Sequence, residues 1–262
     1  MSRRTITQPI HTLLLGSLAV LAASAVVLSA GCAGGRGDAG LTVQPIDRGY
    51  TFVYLKTGPN SATLPKPRQQ EIFKGHMANM QRLSGEGRLI IAGPFAKPRD
   101  PAWRGLFVFA TPDVNEAQRL VATDPGVIEG VFVTEIHPMQ GPAFLLEAPG
   151  HESAMLAEIK AAPVAGSPPP AIRGYAMITA KDGRRASRAL ADSAKINGVG
   201  AKVLWSGILS DTGQGLFVIN ATNAADLTAT LDADEPLRQV MGEFGVDGWF
   251  STASLERFGV RQ

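Results

Sequence analysis

The chain has 262 residues, 45% of them hydrophobic and 18% charged, with a net charge of +2. That is room for one large domain or two small ones, in an ordinary globular balance. No basic stripe with interleaved aromatics runs through it, which argues against nucleic-acid binding. A single cysteine excludes an internal disulfide, and its place near the N-terminus leaves no thiolate for catalysis further on.

The first thirty-one residues read as an export signal. "MSRRTITQPIH" is a short positive region, and "TLLLGSLAVLAASAVVLSAG" after it is apolar and rich in small residues. Its length is at the short end of what spans a membrane, so an uncleaved anchor stays open as an alternative. "LSAGC" resembles a bacterial lipobox: Ser29, Ala30 and Gly31 precede Cys32. The resemblance implies lipidation of Cys32 and a protein held on a cell-envelope membrane, facing the periplasm or the outside. Several acyl chains anchor a protein where one does not. Residues 32–48, rich in glycine, read as a flexible tether.

From Gly49 on, the sequence repeats itself. "GYTFVYLKTG" at Gly49 is matched by "GYAMITAKDG" at Gly174, "LIIAGPF" at Leu89 by "VLWSGIL" at Val203, and "GLFVFAT" at Gly105 by "GLFVINAT" at Gly215. In chain order the first copy predicts a strand at "YTFVYL", a helix over 69–87, and strands at "LIIAGPF" and "GLFVFAT". "PDVNEAQRLVATD" predicts a second helix, with Pro112 and Asp113 at its start and Pro125 at its end. A last strand lies within "GVIEGVFVTEIHPM". This is the β-α-β-β-α-β order of the ferredoxin-like unit, an antiparallel sheet with helices on one face and the other face needing a cover. The expected class is therefore α+β, with domain 1 over 49–146, a Pro-rich linker over 147–172 and domain 2 over 173–262. The two copies cover each other as an intrachain pseudo-dimer.

The first copy carries a resemblance. "GHMANMQRLSGEGRLIIAGPF" followed by "RGLFVFATPDVNEAQRLVATDPGVIEGVFVTEIHPM" is similar to the YCII-related (YciI-like) family over about Tyr50 to Met139. The resemblance implies the dimeric α+β barrel fold, here as tandem copies behind a lipoprotein-type signal. It also implies an active-site pair, His76 and Asp124. Relatives of this fold include isomerases, a dehydrochlorinase and haem-handling monooxygenases, so the fold fixes no single chemistry. Family members commonly carry an arginine a few residues before the histidine. Here "EIFKGH" has no arginine and offers only Lys74, a departure that argues against substrate-anion binding.

On a helical wheel Ile72, Phe73, Met77, Met80 and Leu83 form one apolar arc, and His76 falls inside it. It is either a satisfied core histidine or a histidine aimed at a site. Asp124 alone reads as a turn starter before Pro125. As a pair they can move a proton near neutral pH, with His76 as general acid or base and Asp124 orienting it. Phe95, at the end of the second strand, and Arg104, beside Trp103 at a pocket mouth, are the candidate substrate contacts. His137, beside Pro138, reads as a surface residue at a strand end, and His151 lies near the linker. The three histidines lack the spacing of zinc ligands, so no metal and no other cofactor is expected. Trp205 and Trp249 read as core. In the second copy His76 aligns with Leu190, and Asp124 with Glu235, or with Asp234 one place earlier. A site is therefore expected in the first copy only.

The functional expectation is an exported, lipid-anchored protein that uses the His/Asp pair for proton transfer on a small organic molecule, as an isomerase or lyase would. The alternative is a non-catalytic binding or structural lipoprotein. The expected partners are the membrane and a small molecule.

Overall fold

The computed structural model describes residues 45–97, 99–161, 171–191 and 201–260. The expected signal over 1–31, Cys32, and the tether up to residue 44 lie outside the described residues. Among those that are described, no helix is long and apolar enough to cross a membrane.

The first half runs β1 (Arg48–Thr57), α1 (Lys66–Gly85), β2 (Leu89–Pro94), β3 (Trp103–Phe109), α2 (Val114–Val121), the single turn α3 (Pro125–Ile128) and β4 (Phe132–Gly141). The second half runs β5 (Ile172–Ala180), α5 (Gly183–Ala191), β6 (Val203–Leu209), β7 (Gly215–Ile219), α6 (Ala224–Asp232), α7 (Glu235–Met241) and β8 (Phe244–Thr252). Between them stands α4 (Ala148–Ala161). The segment expected as a linker over 147–172 therefore opens with a helix. No proline interrupts 150–161, and Met155 is buried beneath it.

All eight strands form one antiparallel sheet in the order β2-β3-β1-β4-β6-β7-β5-β8. The fold is thus α+β. The sheet also curls until its two edges meet. Phe95 bridges Trp249, Ala96 N–H donates to Gly248 O at 2.7 Å, and the Ser251 hydroxyl donates to Ala92 O at 2.7 Å. Gly93 makes this seam possible, since a Cβ there would lie 1.8 Å from the Phe250 carbonyl oxygen.

The alternation of strand side chains then sorts the core into three parts. Tyr50, Phe52, Leu106, Val108 and Met139 from the first half pack with Tyr175, Met177, Trp205 and Trp249 from the second, on the inner face. On the outer face, Val53, Leu55, Phe107 and Phe109 pack under Leu83 of α1 and Val121 of α2. Ile178, Phe217 and Ile219 pack under Leu190 of α5, Leu231 of α6 and Met241 of α7. Trp205 and Trp249 are core residues, as their sequence context suggests.

His137 corrects an expectation. It is buried within β4, not exposed at a strand end. Its Nδ1 lies 2.9 Å from Asp211 Oδ2 and its Nε2 3.0 Å from Glu135 Oε1. Pro138 does not end the strand. Its ring removes one donor, but its carbonyl still accepts from Ser210 N–H at 2.7 Å.

Candidate functional site

Helix α1 starts at Lys66 behind Pro65, with Pro67 in its first turn where a missing N–H costs nothing. Its buried positions are Ile72, His76, Asn79 and Leu83, spaced four, three and four apart, which is one stripe of a helix. The stripe is rotated from the apolar arc that the wheel suggests. Phe73 and Met77 lie outside it and are exposed, Phe73 by 61%. His76 is inside it, 8% exposed, and so faces the sheet as expected.

The partner of His76 comes from a helix start. Asp124 caps α3, its Oδ1 accepting from Gly126 N–H at 2.7 Å, with Pro125 at the first helical position. Pro125, expected as a helix stop, also begins the next turn. Asp124 is fully buried, and its Oδ2 lies 2.6 Å from His76 Nδ1. Gly75 allows this approach. A Cβ on it would come within 3.0 Å of Pro125 Cγ, so a larger residue would hold α1 off the turn that carries Asp124. The His76 ring lies nearly parallel to Phe107 at 5.9 Å and edge-on to Phe132 at 5.3 Å.

An ionised carboxylate only accepts hydrogen bonds, so Nδ1 carries the proton toward Asp124. Nε2 is then the nitrogen with a free lone pair, and no described side chain bonds it. His76 lines an open cleft of about 430 Å³ between α1 and the β4 end of the sheet, together with Ile72, Phe73, Val131 and Phe132. That volume suits a small organic molecule. An imidazole held by a buried carboxylate, with its other nitrogen facing such a cleft, can accept or deliver one proton.

Of the two candidate substrate contacts, the structure brings one to this cleft. Arg104 lines it, with its guanidinium 5.6 Å from the Phe132 ring. Simple alternation would put Arg104 on the inner face with Leu106. A register shift prevents this: Leu55 pairs Gly105 and Lys56 pairs Trp103, so Arg104 is the extra residue of a bulge. A slip of one residue swaps faces. Arg104 therefore turns outward toward His76, and Trp103 turns inward onto Tyr54 at 4.3 Å. Burial, and then the nearby Arg99, hold the Arg104 pKa below the ordinary arginine value.

Phe95 is not at the cleft. It is buried on the inner face against Tyr54 and Trp103, at the seam with Trp249. The expectation that it contacts substrate beside His76 fails because its strand carries it to the opposite face of the sheet. Sequence reasoning missed Lys66 and Phe132, which line the cleft. Phe132 gives no signal in sequence beyond an apolar residue near a strand start. Lys66 could have been found from its place in the first turn of the helix that carries His76.

The second half has no equivalent site among the described residues. Leu190 is fully buried in an apolar cluster. Asp234, not Glu235, takes the cap position, accepting from Leu237 N–H at 3.1 Å. No histidine follows His151 in the sequence.

Three comparisons place this geometry. No curated protein sequence matches the chain. Among solved structures, a mutant chlorite dismutase from Candidatus Nitrospira defluvii aligns at 12% identity over 80% of this chain and 94% of its own, with a TM-score of 0.48. A candidate monooxygenase from Lactobacillus acidophilus NCFM aligns at 11% identity over 79% and 97%, with a TM-score of 0.44. A candidate chlorite dismutase aligns at 8% identity over 80% and 98%, with a TM-score of 0.49. All three scores are below 0.5, and none bears on what this chain does. The family comparison is of sequence, and it falls on the half that holds His76, Asp124 and Arg104. Residues 50–140 of this chain match the model of the YCII-related domain.

Proposed function

We propose that the YCII-related domain is an enzyme site in which His76 transfers a proton to or from carbon on a small organic molecule, with Asp124 holding the imidazole. The observation that carries this reading is the 2.6 Å His76–Asp124 contact at the wall of an open cleft. Nε2 takes a proton from a carbon beside a carbonyl, and the electron pair moves into that carbonyl. Return of the proton at another carbon gives isomerisation, and departure of a leaving group from the next carbon gives elimination. Asp124 favours the imidazolium that forms in either case. Ser61 is the one hydroxyl among the residues lining the cleft, and no described base is bonded to it as covalent catalysis needs.

In the same reading the two halves are ferredoxin-like units fused as a pseudo-dimer, together a dimeric α+β barrel in one chain. The second half covers the inner face of the first and has no pair of its own. The chain is held at the cell envelope through Cys32. A second reading, a non-catalytic binding protein, is favoured by one observation: Asp124 already serves as a helix cap, so the pair also has a structural use.

The test is hydrogen–deuterium exchange at carbon. The full chain is incubated in D2O with a panel of small carbonyl compounds, and loss of C–H signal is followed by NMR. Exchange is expected with the wild type, at least about a hundredfold slower with His76→Gln, and slowed to a lesser degree with Asp124→Asn. Wild-type exchange no faster than solvent across the panel, or a His76→Gln variant as fast as wild type, overturns the proposal in favour of the binding reading.

A further inference from the structure

The charges around the cleft narrow what it takes. The arginines that share this face of the molecule are neutralised: Arg68 by Glu71 and Glu129, Arg82 by Glu86, and Arg88 by Glu116. Arg104 is not, and neither is the nearby Arg99, which donates to the Trp103 and Phe95 carbonyls. Arg104 is partly buried, and no described carboxylate lies within ion-pair distance of it. Burying a guanidinium without an acid is costly, and a fold tolerates it where an anion arrives from outside.

The surroundings agree. Lys66 lines the same cleft, and no Asp or Glu does. Lys66 and Gln69 belong to the first turn of α1, and Gln70 follows them. That turn has no acidic residue, and Pro65 before it provides no side-chain cap, so its backbone N–H groups also favour negative charge. Phe73 and Phe132 supply apolar walls, and Phe73 is exposed. The arginine expected ahead of the histidine is missing, but a cation reaches the cleft from the bulge in β3 instead.

We infer that the cleft binds a small organic carboxylate with a flat apolar body, its anionic end held by Arg104 and Lys66 and its body against Phe73 and Phe132. The inference rests on the proposed proton-transfer role only in placing the reacting carbon near His76. The binding itself stands apart from it.

The probe pair is benzoate and its neutral isostere benzamide, added to the full chain. Binding is measured by calorimetry and by the shift of the His76 ring resonances. Benzoate is expected to bind, and benzamide at least about tenfold more weakly. Arg104→Gln is expected to weaken benzoate by roughly ten- to a hundredfold, the value of a hydrogen bond to a charged group, and to leave benzamide unchanged. Arg104→Lys recovers part of the loss, since it restores charge but not the two-pronged geometry. Equal binding of the two probes, no binding of benzoate, or an Arg104→Gln variant that binds benzoate as wild type does overturns the inference. If carbon exchange proceeds on neutral compounds and ignores Arg104→Gln, the proton-transfer role survives and the carboxylate inference fails. If benzoate binds through Arg104 while no carboxylate in the panel exchanges at carbon, the reverse holds.

Discussion

The two halves of the chain place an aspartate at the same point and use it differently. Asp124 and Asp234 each cap a short helix that leads into the last strand of its half, and each is followed within two residues by a proline. In the first half the facing helix carries His76, and the cap becomes half of a buried pair. In the second the facing helix carries Leu190, and the space is closed by apolar packing. The difference teaches that the carboxylate is placed by the helix start, not by the chemistry. One residue on the opposite helix decides whether that carboxylate meets a histidine.

The comparison can be broken or sharpened by exchange. The largest effect is expected from Leu190→His, which removes a fully buried apolar side chain and leaves a ring without a partner. It should cost about 3–5 kcal/mol in urea unfolding. A cost below about 1 kcal/mol would mean that Asp234 can turn to the new histidine, and that the halves are interchangeable. Next comes Asp124→Ala, which removes a cap and orphans His76 Nδ1. Its expected cost is about 3 kcal/mol, against about 1 kcal/mol for Asp234→Ala, where a cap is lost but no buried histidine is orphaned. Equal costs would remove any distinction between the two aspartates.

A smaller effect separates the two seams where the halves join. His137 sits between Asp211 and Glu135, whereas Asp247 in β8 has its pKa raised, first by burial and then by Asp100. Because the folded pKa lies above the unfolded one, that group favours folding below about pH 4, and the advantage is lost as pH rises through the folded value. Asp247→Asn should therefore leave the protein more stable than wild type at neutral pH, with the gain vanishing in acid. A gain that persists or grows below pH 4 would contradict the cause assigned. The smallest effect is expected from Gly75→Ala. Better helix propensity, about 1 kcal/mol, offsets crowding against Pro125, so stability hardly moves. The His76–Asp124 bond lengthens, and the downfield Nδ1 proton signal should shift upfield.

Much of this was legible beforehand because it follows from period and punctuation. Alternating strands, a 3.6-residue stripe and the Asp-Pro turn gave the order of elements, the inward His76 and its partner. What escaped depends on events that alternation does not encode. The bulge at Arg104 turns one side chain to the other face, and nothing in "AWRGLF" marks it beyond a glycine. Phe95 stands at the end of a strand whose direction carries its side chain to the inner face, away from the cleft. His137 was placed outside because a proline follows it, yet the strand continues through Pro138 with its carbonyl still bonded. Phe73 and Met77 belong to the apolar arc but not to the buried stripe, since the helix rotates to seat His76.

The seam at Gly93 imposes an order in time. A ribosome makes β1 to β4 first, and the faces of Tyr50, Phe52, Leu106 and Val108 stay uncovered until β5 to β8 follow. At about 5–20 residues per second, the roughly hundred residues from the end of β4 to the end of β8 take on the order of 5–20 s. Through that interval the nascent first half presents an aromatic sheet face that nothing in its own sequence can hide. Its strand hydrogen bonds can all be made and it remains a sticky intermediate, the kind of species that chaperones hold. A stop codon ahead of β5 would therefore do more than shorten the protein: it would leave that face permanently bare.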